Sequence, residues 1–254
     1  MTRDDVPRLR DVPAAVGLLT RLPVRVNTAL ATQRGARAAW AYSLAGLSVA
    51  LIAGALGTIL LWLGIPANLG AGLVLATLVV TTGALHEDGL ADTADGLWGG
   101  WHKDRRLDIM KDSRIGVYGV IALVIGLGLR WQALAHLIEG GALWSALIVT
   151  AMLSRAAMLP LMCALPHARD TGLSHSVGRP SVFTTAVGLA LAGGAGCMTF
   201  GSSGFVLIGI AALCTLACGV VARAKIGGQT GDILGATQQI SEIACLITLV
   251  VLLR

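Results

Sequence analysis

Residues 39–63 read AWAYSLAGLSVALIAGALGTILLWL, twenty-five consecutive positions without a charge. A lipid core about 30 Å thick needs roughly 20 apolar residues in helical form, so this stretch predicts a transmembrane helix. Six further apolar runs follow: 69–85, 117–138, 142–165, 181–200, 205–222 and 233–253. The second is short for a full span, and the last is polar in its first half. Composition agrees. Of the 254 residues, 55% are hydrophobic and 13% charged, about half the share of charge in a soluble domain. Mean hydropathy is +0.77. Such a chain is neither disordered nor able to cover a water-facing surface. It reads as one all-α, polytopic membrane domain over residues 1–254, with about seven spans.

Charge orients the set. Sixteen of the 19 Lys and Arg residues fall before residue 39, in 86–116, in 166–180 or in 223–232. The alternate connections, 64–68, 139–141 and 201–204, hold none. Positive-inside reasoning therefore expects a cytoplasmic N-terminus and an outer C-terminus. Topology and anionic lipid account for the net charge of +5 without nucleic acid. No long apolar core precedes Ala39, so no cleaved signal peptide is expected. Residues 1–38 read as a cytoplasmic arm, in which 12–26 is too short to span and lies at the interface or re-enters. The five cysteines sit in apolar runs without metal-site spacing and read as packing residues.

Seven of the 14 acids crowd into one window, residues 86–116, expected to be a cytoplasmic catalytic loop. On a helix, Asp88, Asp92 and Asp95 share an arc of ~60°. Three carboxylates on one face repel one another unless a cation lies between them. Hard oxygen donors suit Mg²⁺, Mn²⁺ or Ca²⁺, and Mg²⁺ is the usual partner of phosphoryl chemistry. The competing reading is an ordinary solvated acidic loop. The start of the acids at a span's end, and the glycines Gly89 and Gly96 beside them, argue for a site. Asp104, Asp108 and Asp112 form a second stripe that intrahelical ion pairing can explain. Arg114 abuts the third span, where it could clamp a phosphate.

A second polar knot lies at 227–242. Asp232, Gln239 and Glu242 share a helix face, and Gly227, Gly228, Gly231 and Gly235 either cradle an anion or serve helix packing. Arg155 lies well inside the fourth run and should face a carboxylate or a bound phosphate. Arg130 is expected to snorkel to the outer headgroups. His86 is a proton shuttle or a boundary hydrogen-bonding residue. The six tryptophans mostly mark interfaces.

Three stretches, GALHEDGLADTADG at 83–96, RRLDIMKDSRIGVYG at 105–119 and GGQTGDILGATQQISE at 227–242, closely resemble the cobalamin synthase family. TRLPV at 20–24 and SRAAM at 154–158 look like its other landmarks. The resemblance implies a multi-pass, Mg²⁺-dependent adenosylcobinamide-GDP ribazoletransferase of the inner membrane, acting on its cytoplasmic side. Such an enzyme joins adenosylcobinamide-GDP to α-ribazole or α-ribazole 5′-phosphate and releases GMP. By position, Glu87, Asp88, Asp92 and Asp95 match the family's acidic motif and are the expected metal ligands. Glu87, Asp92 and Arg114 are the expected catalytic groups, with Glu87 or Asp92 as general base. Asp112, Arg155, Gly228, Gly231 and Asp232 are expected to bind substrate. Partners are the two substrates and the bilayer; a homo-oligomer is left open. Two alternatives compete. A CDP-alcohol phosphotransferase would want Asp-Gly-x-x-Ala-Arg, whereas here Asp88-Gly89-Leu90-Ala91 is followed by Asp92 and the Arg is missing; a cation-coupled transporter would use Arg155 and Glu242.

Overall fold

The structure is a computed structural model that describes residues 6–254, so Arg3, counted above among the basic residues of the arm, lies outside it. Among the described residues no strand forms. The chain opens with α1 (Asp11–Leu19), α2 (Thr28–Arg34), a 3₁₀ turn (Gly35–Ala41) and α3 (Tyr42–Trp62). Next come α4 (Ala67–Thr82), α5 (Leu85–Gly99), α6 (Lys103–Ile109) and α7 (Val117–Glu139). Then follow α8 (Leu143–Ala156), α9 (Met158–Ala164) and α10 (Leu173–Val177). The fold closes with α11 (Val182–Phe200), α12 (Ser203–Ile226) and α13 (Gly231–Leu252).

Six helical units are long and apolar enough to cross a membrane. They are 28–62, α7, α8 with α9, α11, α12 and α13. The exception is the expected second span. Helix α4 has 16 residues, about 24 Å at 1.5 Å per residue, and then turns by 87° into α5. The two helices make a seventh crossing only as a broken pair.

The bend has a local cause. Gly83 and Ala84 both take left-handed conformations, with φ of 64° and 57°. Their N–H groups return to Val80 and Val79, closing the end of α4. Ala84 is the one non-glycine with positive φ among the described residues. Position 83 is also crowded by the Arg21 side chain, and the Arg21 N–H donates to the Thr81 carbonyl at 2.7 Å. Residues 12–26 are therefore a nine-residue helix plus an extended segment, laid along the bundle against α3 and the end of α4.

The arm is fixed by a buried polar knot. The Arg34 guanidinium donates to Asp11 through Nε at 2.7 Å and Nη2 at 2.6 Å, and Trp40 Nε1 donates to the same carboxylate at 2.8 Å. Burial alone would raise the Asp11 carboxyl; the Arg34 and Trp40 bonds outweigh it and hold it below its ordinary value. Trp40 is thus a core residue, unlike the exposed Trp62, Trp98 and Trp101.

Small residues set the closest packing. In α3, Gly46 lies so near the Ala151 carbonyl of α8 that a side chain there would collide with backbone. The apolar core forms two clusters. One gathers α3, α4, α7, α8 and the later part of α13; the other gathers α1, α9 and the start of α13. Between them along α13 run Gln238, Gln239, Ser241 and Glu242, all buried.

The Gly83–Ala84 junction supplies a test. A left-handed backbone disfavours a β-branched residue, at a cost on the order of 1–3 kcal/mol. Ala84→Val should lower the unfolding midpoint in detergent, whereas Ala84→Gly should hold or raise it.

Candidate active site

Two layers of charge meet at the start of α5. The deeper one is buried. Arg130 of α7, 2% exposed, donates to Glu87 at 2.6 Å and to Glu242 at 2.8 Å. It also donates to Gln239 Oε1 at 3.0 Å. Gln239 Nε2 donates to Glu87 at 3.1 Å and to Gln238 Oε1 at 2.9 Å. Gln238 Nε2 then reaches Glu242 at 2.6 Å and Ser154 Oγ at 2.9 Å. Arg130 does not snorkel to the outer surface; two carboxylates bind it inside the bundle.

Arg155 is buried beside this network. Its Nη1 donates to the Ala151 carbonyl of its own helix at 3.1 Å, and its Nε has no partner. Two arginines and two glutamates make the buried layer neutral. His86, 2% exposed, is enclosed with them, and its Nε2 has no partner.

The second layer faces outward from the same helix. Asp88 is exposed and Asp92 half-buried on α5, and Asp232 is half-buried at the start of α13. Asp92 lies within the fields of Asp88, Asp232 and Asp95, with the Arg169 charge opposing them. Arg169 Nη2 pairs with Asp232 at 3.1 Å, and its Nη1 is buried without a partner. Thr230 caps α13 by accepting from the Ile233 N–H at 3.3 Å, and its hydroxyl donates to Asp232 at 3.2 Å. The approach of α5 to α13 needs glycine on both sides. A Cβ at Gly89 would stand 2.9 Å from the Asp232 carbonyl oxygen and 3.1 Å from the Gly235 Cα.

The four expected metal ligands do not come together. Glu87 is engaged with Arg130. Asp95 accepts from the N–H groups of Gly116 at 2.7 Å and Gly119 at 2.9 Å. It satisfies the first turn of α7, and any side chain at 116 or 119 would strike it. Among the described residues, no three His, Cys, Asp or Glu side chains stand in ready metal-holding geometry. Asp88, Asp92 and Asp232 are the carboxylates that share a space.

Asp112 and Arg114 stand apart from it. They pair with each other at 2.9 Å, the arginine side chain 87% exposed, and the Arg114 hydrogen bonds hold the Asp112 carboxyl below its usual range. Asp104 and Asp108 are exposed on α6. Of the glycines, Gly231 lines the cavity beside Asp232. Gly228 serves a backbone contact instead, since it faces the Pro166 carbonyl across a zipped pair of segments. There the Gln229 N–H donates to Pro166 and the Ala168 N–H to Gln229.

That zipper carries residues the sequence reading left unused. His167 Nδ1 lies 3.0 Å from Gln229 Nε2, and Ser174 donates to Gln229 Oε1. His167 and His175 meet edge to face at 5.2 Å. Burial, then the neighbouring His175 and Arg179, keep the His167 imidazole below its ordinary value. Arg169 is the important omission. It counted only toward the charge of its loop, because nothing in its spacing connects it to a position 63 residues later.

The chain is similar to known proteins over nearly its whole length. Residues 11–250 match the family model described as Cobalamin-5-phosphate synthase. A protein of Bradyrhizobium diazoefficiens named adenosylcobinamide-GDP ribazoletransferase is 44% identical, over 94% of this chain and 92% of its own. Proteins of the same name from Sinorhizobium medicae (41%, over 93% and 94%) and Brucella canis (44%, over 96% and 97%) are similar. No solved structure matches.

The buried layer makes its own prediction. Removing Arg130 leaves two glutamates with Arg155 alone to balance them, a loss of about 3–5 kcal/mol. Arg130→Met should sharply lower the thermal midpoint in detergent, while Arg114→Met should leave it unchanged.

Proposed function

Since the chain belongs to the cobalamin-5-phosphate synthase family, we propose that it joins adenosylcobinamide-GDP to α-ribazole or α-ribazole 5′-phosphate. GMP leaves, and adenosylcobalamin or its 5′-phosphate forms. The observation that carries the reading is the meeting of Asp88 and Asp232 with Arg169 at one cavity, with Asp92 within the fields of all three. The sixteen-to-none division of Lys and Arg supports placing this mouth on the cytoplasmic side of the inner membrane.

The donor set fits a hard divalent ion. Its groups are carboxylates, they repel one another, and one arginine does not balance three of them. Asp88, Asp92 and Asp232 would hold Mg²⁺, which when bound supplies charge neutralisation to the diphosphate and the departing GMP. Expected ligands Glu87 and Asp95 instead hold α5 in place.

The chain's own groups do the rest. The free Nη1 of Arg169 donates to a diphosphate oxygen while Nη2 stays on Asp232, orienting the donor in line. The acceptor ribose hydroxyl attacks the corrinoid-side phosphorus, and the bond from that phosphorus to the GMP oxygen breaks. Asp92, the half-buried member of the set, accepts the hydroxyl proton. Glu87 is not placed for that task, because it is buried and ion-paired with Arg130 through Oε1. Most of the acceleration comes from positioning and preset charge.

The test is purified protein in detergent with GDP-cobinamide, α-ribazole 5′-phosphate and Mg²⁺, scored for cobamide and GMP. EDTA should stop turnover. Asp92→Ala and Asp232→Asn should each lower it roughly a hundredfold or more with membrane insertion intact. Arg114→Ala should stay within about threefold of wild type, as an exposed pair predicts. Full activity in a well-folded Asp92→Ala protein contradicts the site.

A further inference from the structure

Asp88 and Asp232 line a partly open space that the chemistry above does not fill. It is a cavity of about 130 Å³ between α5, α13, α9, the arm and the loop that carries α10. Its mouth is polar, with Asp88, Asp232, Arg169 and Ser174. The rest of its wall is mainly apolar, with Leu18 and Leu19 from α1, Met158 and Met162 from α9, and Leu173 and Val177 from α10, and with Tyr42 of α3 beside them. One buried polar atom of that wall is left unpaired. His86 lines the cavity, is 98% enclosed, and its Nε2 has no hydrogen-bond partner. An unmade bond at a buried polar atom costs about 1–3 kcal/mol, so the position asks for a ligand atom.

We infer that this cavity seats the benzimidazole base of the acceptor nucleoside and that His86 Nε2 is its hydrogen-bond donor. The assignment rests on the transferase reading above and adds to it the seat of one substrate. A benzimidazole nucleoside is a flat, apolar bicycle with one ring nitrogen in the glycosidic bond and one left free. That free nitrogen is an acceptor, and it is the base's only polar atom. The orphan His86 Nε2 in a mainly apolar wall matches it, with the proton on that nitrogen. Methionines suit the flat ring, since their thioethers pack against aromatic faces. The ribose then projects to the mouth, where its hydroxyl meets Asp92 and the phosphorus held by Arg169.

The other two groups of the reaction do not fit. Guanine presents a carbonyl, a ring N–H, an amino group and further ring nitrogens. Leu and Met side chains would leave those groups unpaired, a strong basis for rejection. A corrin macrocycle is too large for the space.

Steady-state kinetics on the intact protein separates the seats. Val177→Trp and Met162→Trp fill the apolar end from two different elements, so one misfolded variant does not end the test. Each folded variant should raise KM for α-ribazole at least tenfold and change KM for GDP-cobinamide less than twofold. His86→Phe should do the same, and His86→Gln, which restores an N–H, should recover part of the loss. A rise confined to the GDP-cobinamide KM, or an unchanged α-ribazole KM in folded tryptophan variants, overturns the assignment. Calorimetry with α-ribazole alone keeps the two proposals distinct. Wild type that binds α-ribazole yet forms no phosphodiester contradicts the transfer reaction and supports the seat; wild type that turns over with unaltered binding in both tryptophan variants does the reverse.

Discussion

A guanidinium inside an apolar helix bundle must have counter-charges, and Arg130 takes them from two other helices. Glu87 comes from α5 and Glu242 from α13. Hydrogen bonds from Gln238 and Gln239 occupy further lone pairs of the two carboxylates. Breaking such a group apart is far more costly than breaking a surface pair. The network therefore fixes how α5 lies against α7 and α13. Everything at the active face inherits that alignment, because Asp88 and Asp92 follow Glu87 on the same short helix.

Other contacts hold the far end of α5. Asp95 accepts two amides from the first turn of α7, while Gly89 and Gly235 let α5 and α13 touch backbone to backbone. Between these tethers, Asp88 and Asp92 lie within the field of Asp232. The division of labour follows from burial. Acids that point inward meet arginine or amides and give structure. Those that point to the cavity mouth keep their mutual repulsion and have Arg169 alone to oppose it. In the proposed reaction these acids are the ones that would meet an external cation and a diphosphate.

Much of the bundle could be read from the chain because lipid demands long uncharged runs, and those runs map onto α3, α7, α8 with α9, α11, α12 and α13. The broken crossing could not. Its bend depends on two left-handed residues, and Ala84 has no sequence signal for that conformation. Helical arithmetic rightly put Asp88, Asp92 and Asp95 on one arc. It could not show that Asp95 would be met by amides 21 and 24 residues away. Nor could spacing show that Glu87 pairs 43 residues on, or that Arg169 would reach Asp232. Arg114, in a motif that invited a phosphate-binding role, lies in solvent. Long-range partners, not local periodicity, decide which member of an acidic motif is structural and which is available to ligand.

On the proposed mechanism, the buried Arg130 network positions a cation site that it does not itself contain. Mn²⁺ titration followed by electron paramagnetic resonance, on protein in lipid nanodiscs, tests it most directly. Wild type should bind the ion at a defined site. Asp232→Asn should lose that site because a ligand is gone. Arg130→Met, where it remains folded, should lose it because α5 is no longer held. Unchanged Mn²⁺ affinity in both variants would contradict the account.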